Sequence, residues 1–138
     1  MSLTNAAAVN AAVVAERARE TAHRAAMQAS VQELAQRLEA VLSRRLTAYL
    51  VNVQDGRTIA RWASGEITAI RDEKAERRLR VAYEIVSLLR EASMATQTIR
   101  AWFISLNPRL RNQPPLEVIR DGNLDEAIAA AEAFVANP

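Results

Sequence analysis

The sequence predicts an all-α protein, and three observations lead to that prediction. Half of the 138 residues are hydrophobic but only 4% are aromatic, and alanine and leucine, both strong helix formers, supply most of the apolar content. Three glycines and four prolines leave few places to interrupt a helix. Apolar residues recur at helical spacing, and no segment alternates apolar and polar residues over a useful length. The length fits one compact domain, or two small helical subdomains that share a core.

The first third of the chain predicts two helices. Residues 5–29 are rich in alanine but carry a poor apolar stripe, which is typical of a surface helix, a dimerisation arm or a helix that frays in solution. Ser30 is the expected N-cap of the next helix, and Glu33 completes a capping box. Residues 31–43 then carry a sharp apolar stripe, which predicts a core helix.

The second half of the chain predicts four more helices. Asp72 is the expected N-cap of a long and largely buried one. A shorter helix should follow, with Leu106 on its apolar face, and Asn107-Pro108 should end it because a residue before proline avoids helical angles. We expect these helices at residues 73–92, from Thr96 to about 106, at 115–120 and from 124 onward.

Two short helices between these regions have the pattern of a helix-turn-helix. They are expected at residues 45–52 and 57–64, with Asp55 capping the second and Gly65 ending it. Ile59 and Trp62 should face the core. The outward-facing residues of the second helix would then contact bases in the major groove. Arg71 and Lys74, further along the chain, would contact phosphates. The expected DNA-binding residues are Arg57, Thr58, Arg61, Ser64, Arg71 and Lys74. A plain pair of core helices is the alternative.

Several residues of these two helices follow a known pattern: Leu46-Thr47, Val53, Thr58-Ile59, Arg61-Trp62 and Gly65. In these residues the pair resembles the Xre-type, phage-repressor-like helix-turn-helix. The turn Asp55-Gly56-Arg57 is one residue longer than is usual in that family, which affects the register of the base-contacting residues.

The C-terminal third carries a second pattern, made of Trp102-Phe103, Asn107-Pro108, Leu110, Pro115-Leu116, Ile119-Arg120, Asp121-Gly122, Ala130-Ala131 and Phe134. In these residues it resembles the toxin-binding domain of the Xre/MbcA/ParS antitoxins. Arg111-Asn112 departs from the pattern, since many members have small residues there. With the upstream helix-turn-helix, in the order that the family requires, the resemblance covers about residues 31–136.

The resemblance implies a type II antitoxin. Such a protein neutralises a RES-domain toxin that attacks NAD, obstructs the toxin's active site with its C-terminal end, and represses its own operon. The implied parts are an Xre-like helix-turn-helix domain (30–94) and a toxin-binding domain (95–138). The Ala-rich residues 1–29 lie outside the resemblance and are expected to form an N-terminal helix that could serve as a dimerisation arm. Arg120 is expected either to contact the toxin or to pair locally at a helix end. The expected toxin-binding residues are Asn107, Arg120, Asn123, Asp125 and Asn137.

The charge distribution fits two different partners. Residues 43–80 carry a cationic excess, whereas residues 121–138 hold four carboxylates and no cation. Operator DNA and a toxin would meet these two regions, although helix surfaces also differ in charge without any partner. Operator DNA is expected to bind a homodimer, because two half-sites match a two-fold axis.

Other classes of function lack their residues. The chain has no cysteine, a single histidine (His23), and no phosphate-binding loop or nucleophile motif. We therefore expect no metal, no cofactor, no small-molecule substrate and no enzyme activity. No apolar run approaches the ~20 residues of a membrane span, and no signal peptide is seen, so a cytoplasmic protein is expected.

Two alternatives to the antitoxin remain. One is a stand-alone helix-turn-helix transcription regulator without a toxin partner. The other is a toxin-binding module whose helix-turn-helix serves only as scaffold.

Overall fold

Eight α-helices and no β-strand make up the part of the chain that the structure describes, residues 3–138 of a computed structural model. The all-α prediction is confirmed. Within these residues no helix is both long and apolar enough to cross a membrane. The helices are α1 (Leu3–Gln28), α2 (Val31–Leu42), α3 (Arg44–Val51), α4 (Gly56–Ser64), α5 (Glu73–Glu91), α6 (Thr96–Ile104), α7 (Pro115–Arg120) and α8 (Leu124–Ala136).

Helix α5 is the centre of the fold. It packs against α1, α2, α3, α6, α7 and α8, so apolar residues are needed around much of its circumference. Leu79, Ile85 and Leu89 are fully buried on it. One hydrophobic core cluster runs from α1 to α8, and the helix-turn-helix and the C-terminal segment therefore share a core.

Three helix boundaries are set by local signals that the sequence predicts. The Ser30 hydroxyl accepts a hydrogen bond from the Glu33 amide at 3.1 Å, and the Asp72 carboxylate accepts one from the Lys74 amide at 2.9 Å. Both satisfy N–H groups that the first turn of a helix leaves free. Gly65 ends α4 in the left-handed conformation, at φ 82°, which a glycine adopts without steric cost.

Helix α1 is anchored by its second half only. Ala22 and Ala26 are buried, and small side chains let α1 lie close to α5. Residues 5–14, by contrast, are exposed throughout. The predicted N-terminal helix is thus present, and its first turns form a surface feature.

Two details of the C-terminal third differ from the prediction. Helix α6 ends at Ile104, so Leu106 lies beyond it and is 69% exposed instead of buried. The expected loop after it contains a 3-10 turn over Pro108–Leu110, which the Asn107 side chain caps by accepting from the Arg109 amide at 2.9 Å. Proline at the first position fixes φ near the helical value and favours this turn.

Candidate functional site

The helix-turn-helix is held in place by its inner face. Helices α3 and α4 pack against each other, and both pack against α2. Ile59 is fully buried and Trp62 is 4% exposed, as the spacing of three predicted. Ala48 and Leu50 bury the facing side of α3. The orientation of α4 is therefore fixed by packing, and its opposite face is left to solvent.

The outer face of α4 presents two guanidinium groups. The Arg57 side chain is 86% exposed, with Nε 3.8 Å from the carboxylate of Asp55. Arg61 is exposed and has no ion pair among residues 3–138. Thr58 is half-buried between them along the helix. Two exposed arginines one turn apart, of which Arg57 alone has an ion-pair partner among the described residues, give this face hydrogen-bond donors for guanine edges or phosphates.

Ser64 has a different position from the other predicted DNA-binding residues. Its hydroxyl donates to the Arg61 carbonyl at 3.1 Å and accepts from the Glu66 amide at 3.3 Å. These bonds occupy the hydroxyl in ending α4. Arg71, in the loop before α5, and Lys74, in the first turn of α5, are exposed. The structure thus brings together Arg57, Thr58 and Arg61 but places these two cations outside α4.

Arg120 joins two helices that are far apart in the sequence. Its guanidinium donates to the Tyr49 carbonyl at 2.6 Å and lies 4.1 Å from the centre of the Tyr49 ring. The Tyr49 hydroxyl donates to the Glu117 carboxylate at 2.5 Å. This bond is the main reason that the pKa of Tyr49 is raised, since it favours the protonated phenol. Helix α7 is thereby fastened to α3.

The other predicted toxin-binding residues lie elsewhere. Asn107 and Asn137 both line a groove of about 470 Å³ between α6, the following loop and α8, which we call the C-terminal groove. Asn123 and Asp125 are exposed at the start of α8 and do not line that groove. The structure thus brings Asn107 and Asn137 together, and it places Arg120, Asn123 and Asp125 apart from them.

The C-terminal groove has an aromatic wall and an apolar rim. Trp102 and Phe134 line it, with ring centroids 6.4 Å apart. The indole nitrogen of Trp102 is buried and has no hydrogen-bond partner among residues 3–138. Leu106, 69% exposed, stands at the edge. An apolar side chain of a partner would find aromatic contacts here and would cover an exposed leucine. The sequence predicts Leu106 on the apolar face of a helix, whereas the structure exposes it at the edge of this groove.

The described residues hold no group of three or more His, Cys, Asp or Glu side chains arranged to bind a metal ion. His23 is 64% exposed and lies 2.9 Å from the Glu84 carboxylate. Comparison of the chain with protein-family models, with curated proteins and with solved structures gave no match. A function for this chain is therefore supported by the geometry of α4 and of the C-terminal groove, together with the sequence motifs.

Proposed function

We propose that this chain is a type II antitoxin that represses its own operon through α3 and α4 and neutralises a RES-domain toxin through its C-terminal segment. The observation that carries the proposal is the two-sided character of α4. Ile59 and Trp62 fix one face in the core, while Arg57 and Arg61 are exposed on the other.

A recognition helix needs a rigid inner face and an outer face of donors that reaches base edges. Arginine makes bidentate bonds to guanine, and a threonine beside it can contact a thymine methyl group or a phosphate. Arg57, Thr58 and Arg61 supply these groups within little more than one turn. The Xre-like residues of the sequence favour the same function.

The toxin-binding half rests on the resemblance of residues 102–134 and on the C-terminal groove. The groove offers aromatic surface, and the exposed Leu106 gives a partner an apolar contact to cover. Helix α8 beside it carries Asp125 and Glu126 in its first turn, and Glu126 is paired with Arg111 at 3.1 Å. A partner with a basic rim around an apolar projection would complement this surface.

The proposed DNA-binding form is a homodimer. Val9, Val13 and Val14 on the free turns of α1 are 58%, 44% and 65% exposed. Exposed apolar residues on one helical arm favour association with a second copy. A dimer places two α4 helices against half-sites about one turn of DNA, roughly 34 Å, apart.

The test of DNA binding compares two labelled duplexes of equal length, one from upstream of the chain's own gene and one of random sequence. Fluorescence anisotropy should show tighter binding to the first. In Arg61→Ala this preference should shrink by about 1–3 kcal/mol, because a base contact is lost. Arg90→Gln on α5 is the matched control and should bind as the wild type does. Equal affinity of the wild type for both duplexes would contradict the proposal.

A stand-alone transcription regulator is the second candidate, because nothing in α3 or α4 depends on a toxin. Co-production with a RES-domain protein encoded beside the gene separates the two. An antitoxin restores growth and cellular NAD, whereas a stand-alone regulator leaves both low. Leu106→Glu at the groove edge should abolish the rescue without affecting DNA binding, and the exposed Gln97→Glu on α6 is its control.

A further inference from the structure

A second and larger groove, of about 1110 Å³, lies between the helix-turn-helix and the C-terminal segment. We call it the arginine groove, because its lining includes Arg44 and Arg45 from α3, Arg100 from α6 and Arg120 from α7. Asp55 is the one carboxylate among its lining residues. Three separate helices thus direct positive charge to one concave surface.

Two of these arginines are free and two are held. Arg45 and Arg100 are exposed and have no hydrogen-bond or ion-pair partner among residues 3–138. Arg44 bonds to Glu39 at 3.1 and 3.3 Å, yet its side chain remains 54% exposed. Arg120 is oriented by Tyr49. The free guanidinium groups keep all their donors available for a ligand.

The arginine groove is continuous with the N-terminal end of α4. Gly56, the first residue of α4, is part of its lining. A methyl group on Gly56 would lie 2.8 Å from Cγ of Arg44, so the stem of Arg44 rests directly on the start of α4. In helix-turn-helix proteins the N-terminal part of the second helix contacts the bases, and the preceding helix crosses the DNA backbone. The groove therefore opens where a DNA strand would pass.

We propose that the arginine groove binds the phosphate backbone of the same duplex that α4 reads, which makes Arg100 and Arg120 of the C-terminal segment part of the DNA-binding surface. This inference rests on the proposed function and deepens it. Phosphates suit the site because the planar guanidinium pairs with phosphate through two parallel bonds. A nucleic-acid backbone bound at α4 can extend into the groove and contact Arg45 and then Arg100. A short acidic protein segment bound in the groove would not need to contact α4.

Salt dependence separates this proposal from a structural role. Each phosphate that an arginine neutralises releases counterions, and log K therefore falls as log salt rises. Removing one such arginine makes this negative slope shallower by about 0.9. We expect Arg45→Gln and Arg100→Gln each to reduce the slope by about one. Both should weaken binding to the upstream and the random duplex by the same factor, because phosphates carry no sequence information. Arg90→Gln keeps the wild-type slope, and circular dichroism confirms that all variants are folded.

Three other outcomes would overturn the proposal, and they differ from one another. If Arg45→Gln and Arg100→Gln keep the wild-type affinity and slope while Arg61→Ala loses specificity, the groove does not bind DNA but the proposed function stands. If they keep DNA binding but no longer hold the RES-domain partner, the groove belongs to a protein. If the wild type binds neither duplex, the inference and the DNA-binding half of the proposed function both fail.

Discussion

Arg80 ties helix α1 to helix α5, and its removal should loosen the N-terminal helix. One guanidinium nitrogen donates to the carbonyls of Ala26 and Ala29 at 2.8 and 2.9 Å, at the C-terminal end of α1, where carbonyls lack partners within the helix. The Nε atom donates to Glu76 at 2.9 Å. The Arg80 side chain is only 23% exposed, and Ala26 and Ala29 are buried, so water cannot fully replace these bonds.

The cost of Arg80→Met follows from these contacts. Hydrogen bonds to a charged group contribute about 1.5–3 kcal/mol each, the Glu76 pair about 0.3–0.5 kcal/mol, and water recovers part of the loss at the two carbonyls. We expect the free energy of unfolding to fall by about 2–3 kcal/mol. With an unfolding entropy of roughly 2.1 cal/mol/K per residue, the Tm falls by about 7–10 °C.

Urea and thermal unfolding followed by circular dichroism measure this effect. Arg77→Met is the matched control, because Arg77 lies on the same helix, is exposed and has no ion pair among the described residues. It should remain within about 0.5 kcal/mol of the wild type. If Arg80→Met unfolds at the same urea concentration as Arg77→Met, the two carbonyl contacts contribute nothing and the reasoning is refuted.

Three further predictions concern the helix-turn-helix and its neighbours. Trp62→Ala removes a buried ring and should lower the free energy of unfolding, measured in urea, by about 3–5 kcal/mol. If it lowers that free energy by less than the substitution of an exposed residue does, the core position of Trp62 is refuted. Gly65→Ala should cost about 1–2 kcal/mol, because φ is positive and the new methyl group lies 3.2 Å from Gln32; unchanged stability would contradict this. The Tyr49 phenol should titrate above the ordinary pKa of about 10, so its contact with Glu117 stabilises the fold below that pH and is lost as pH rises through the raised pKa. In Glu117→Gln, ultraviolet titration should show a lower pKa, and an unchanged value would exclude this cause.

The sequence was informative where a structural signal is local. Ser30 and Asp72 cap helices because their side chains reach amides two or three residues ahead, and Ile59 and Trp62 are buried because a spacing of three puts them on one helical face. Leu106 was assigned to a buried stripe on the same logic. That assignment was wrong because α6 ends at Ile104, and the helical phase no longer applies beyond it.

Contacts between distant parts of the chain were not accessible in the same way. Arg120 contacts Tyr49 across a sequence separation of 71 residues. No local sequence pattern predicts that these two residues are in contact. The arginine groove likewise arises because α3, α6 and α7 converge. Composition showed a cationic excess in residues 43–80, but only tertiary packing adds Arg100 and Arg120 to it.

The most direct test of the proposed function is a pull-down of the tagged full chain from its source organism, followed by mass spectrometry. The antitoxin proposal predicts a small partner at a stoichiometry near one to one that carries a RES-type sequence, and Leu106→Glu should no longer recover it. Recovery of the chain alone, or with DNA only, would contradict toxin binding and would leave the stand-alone regulator as the account of this molecule.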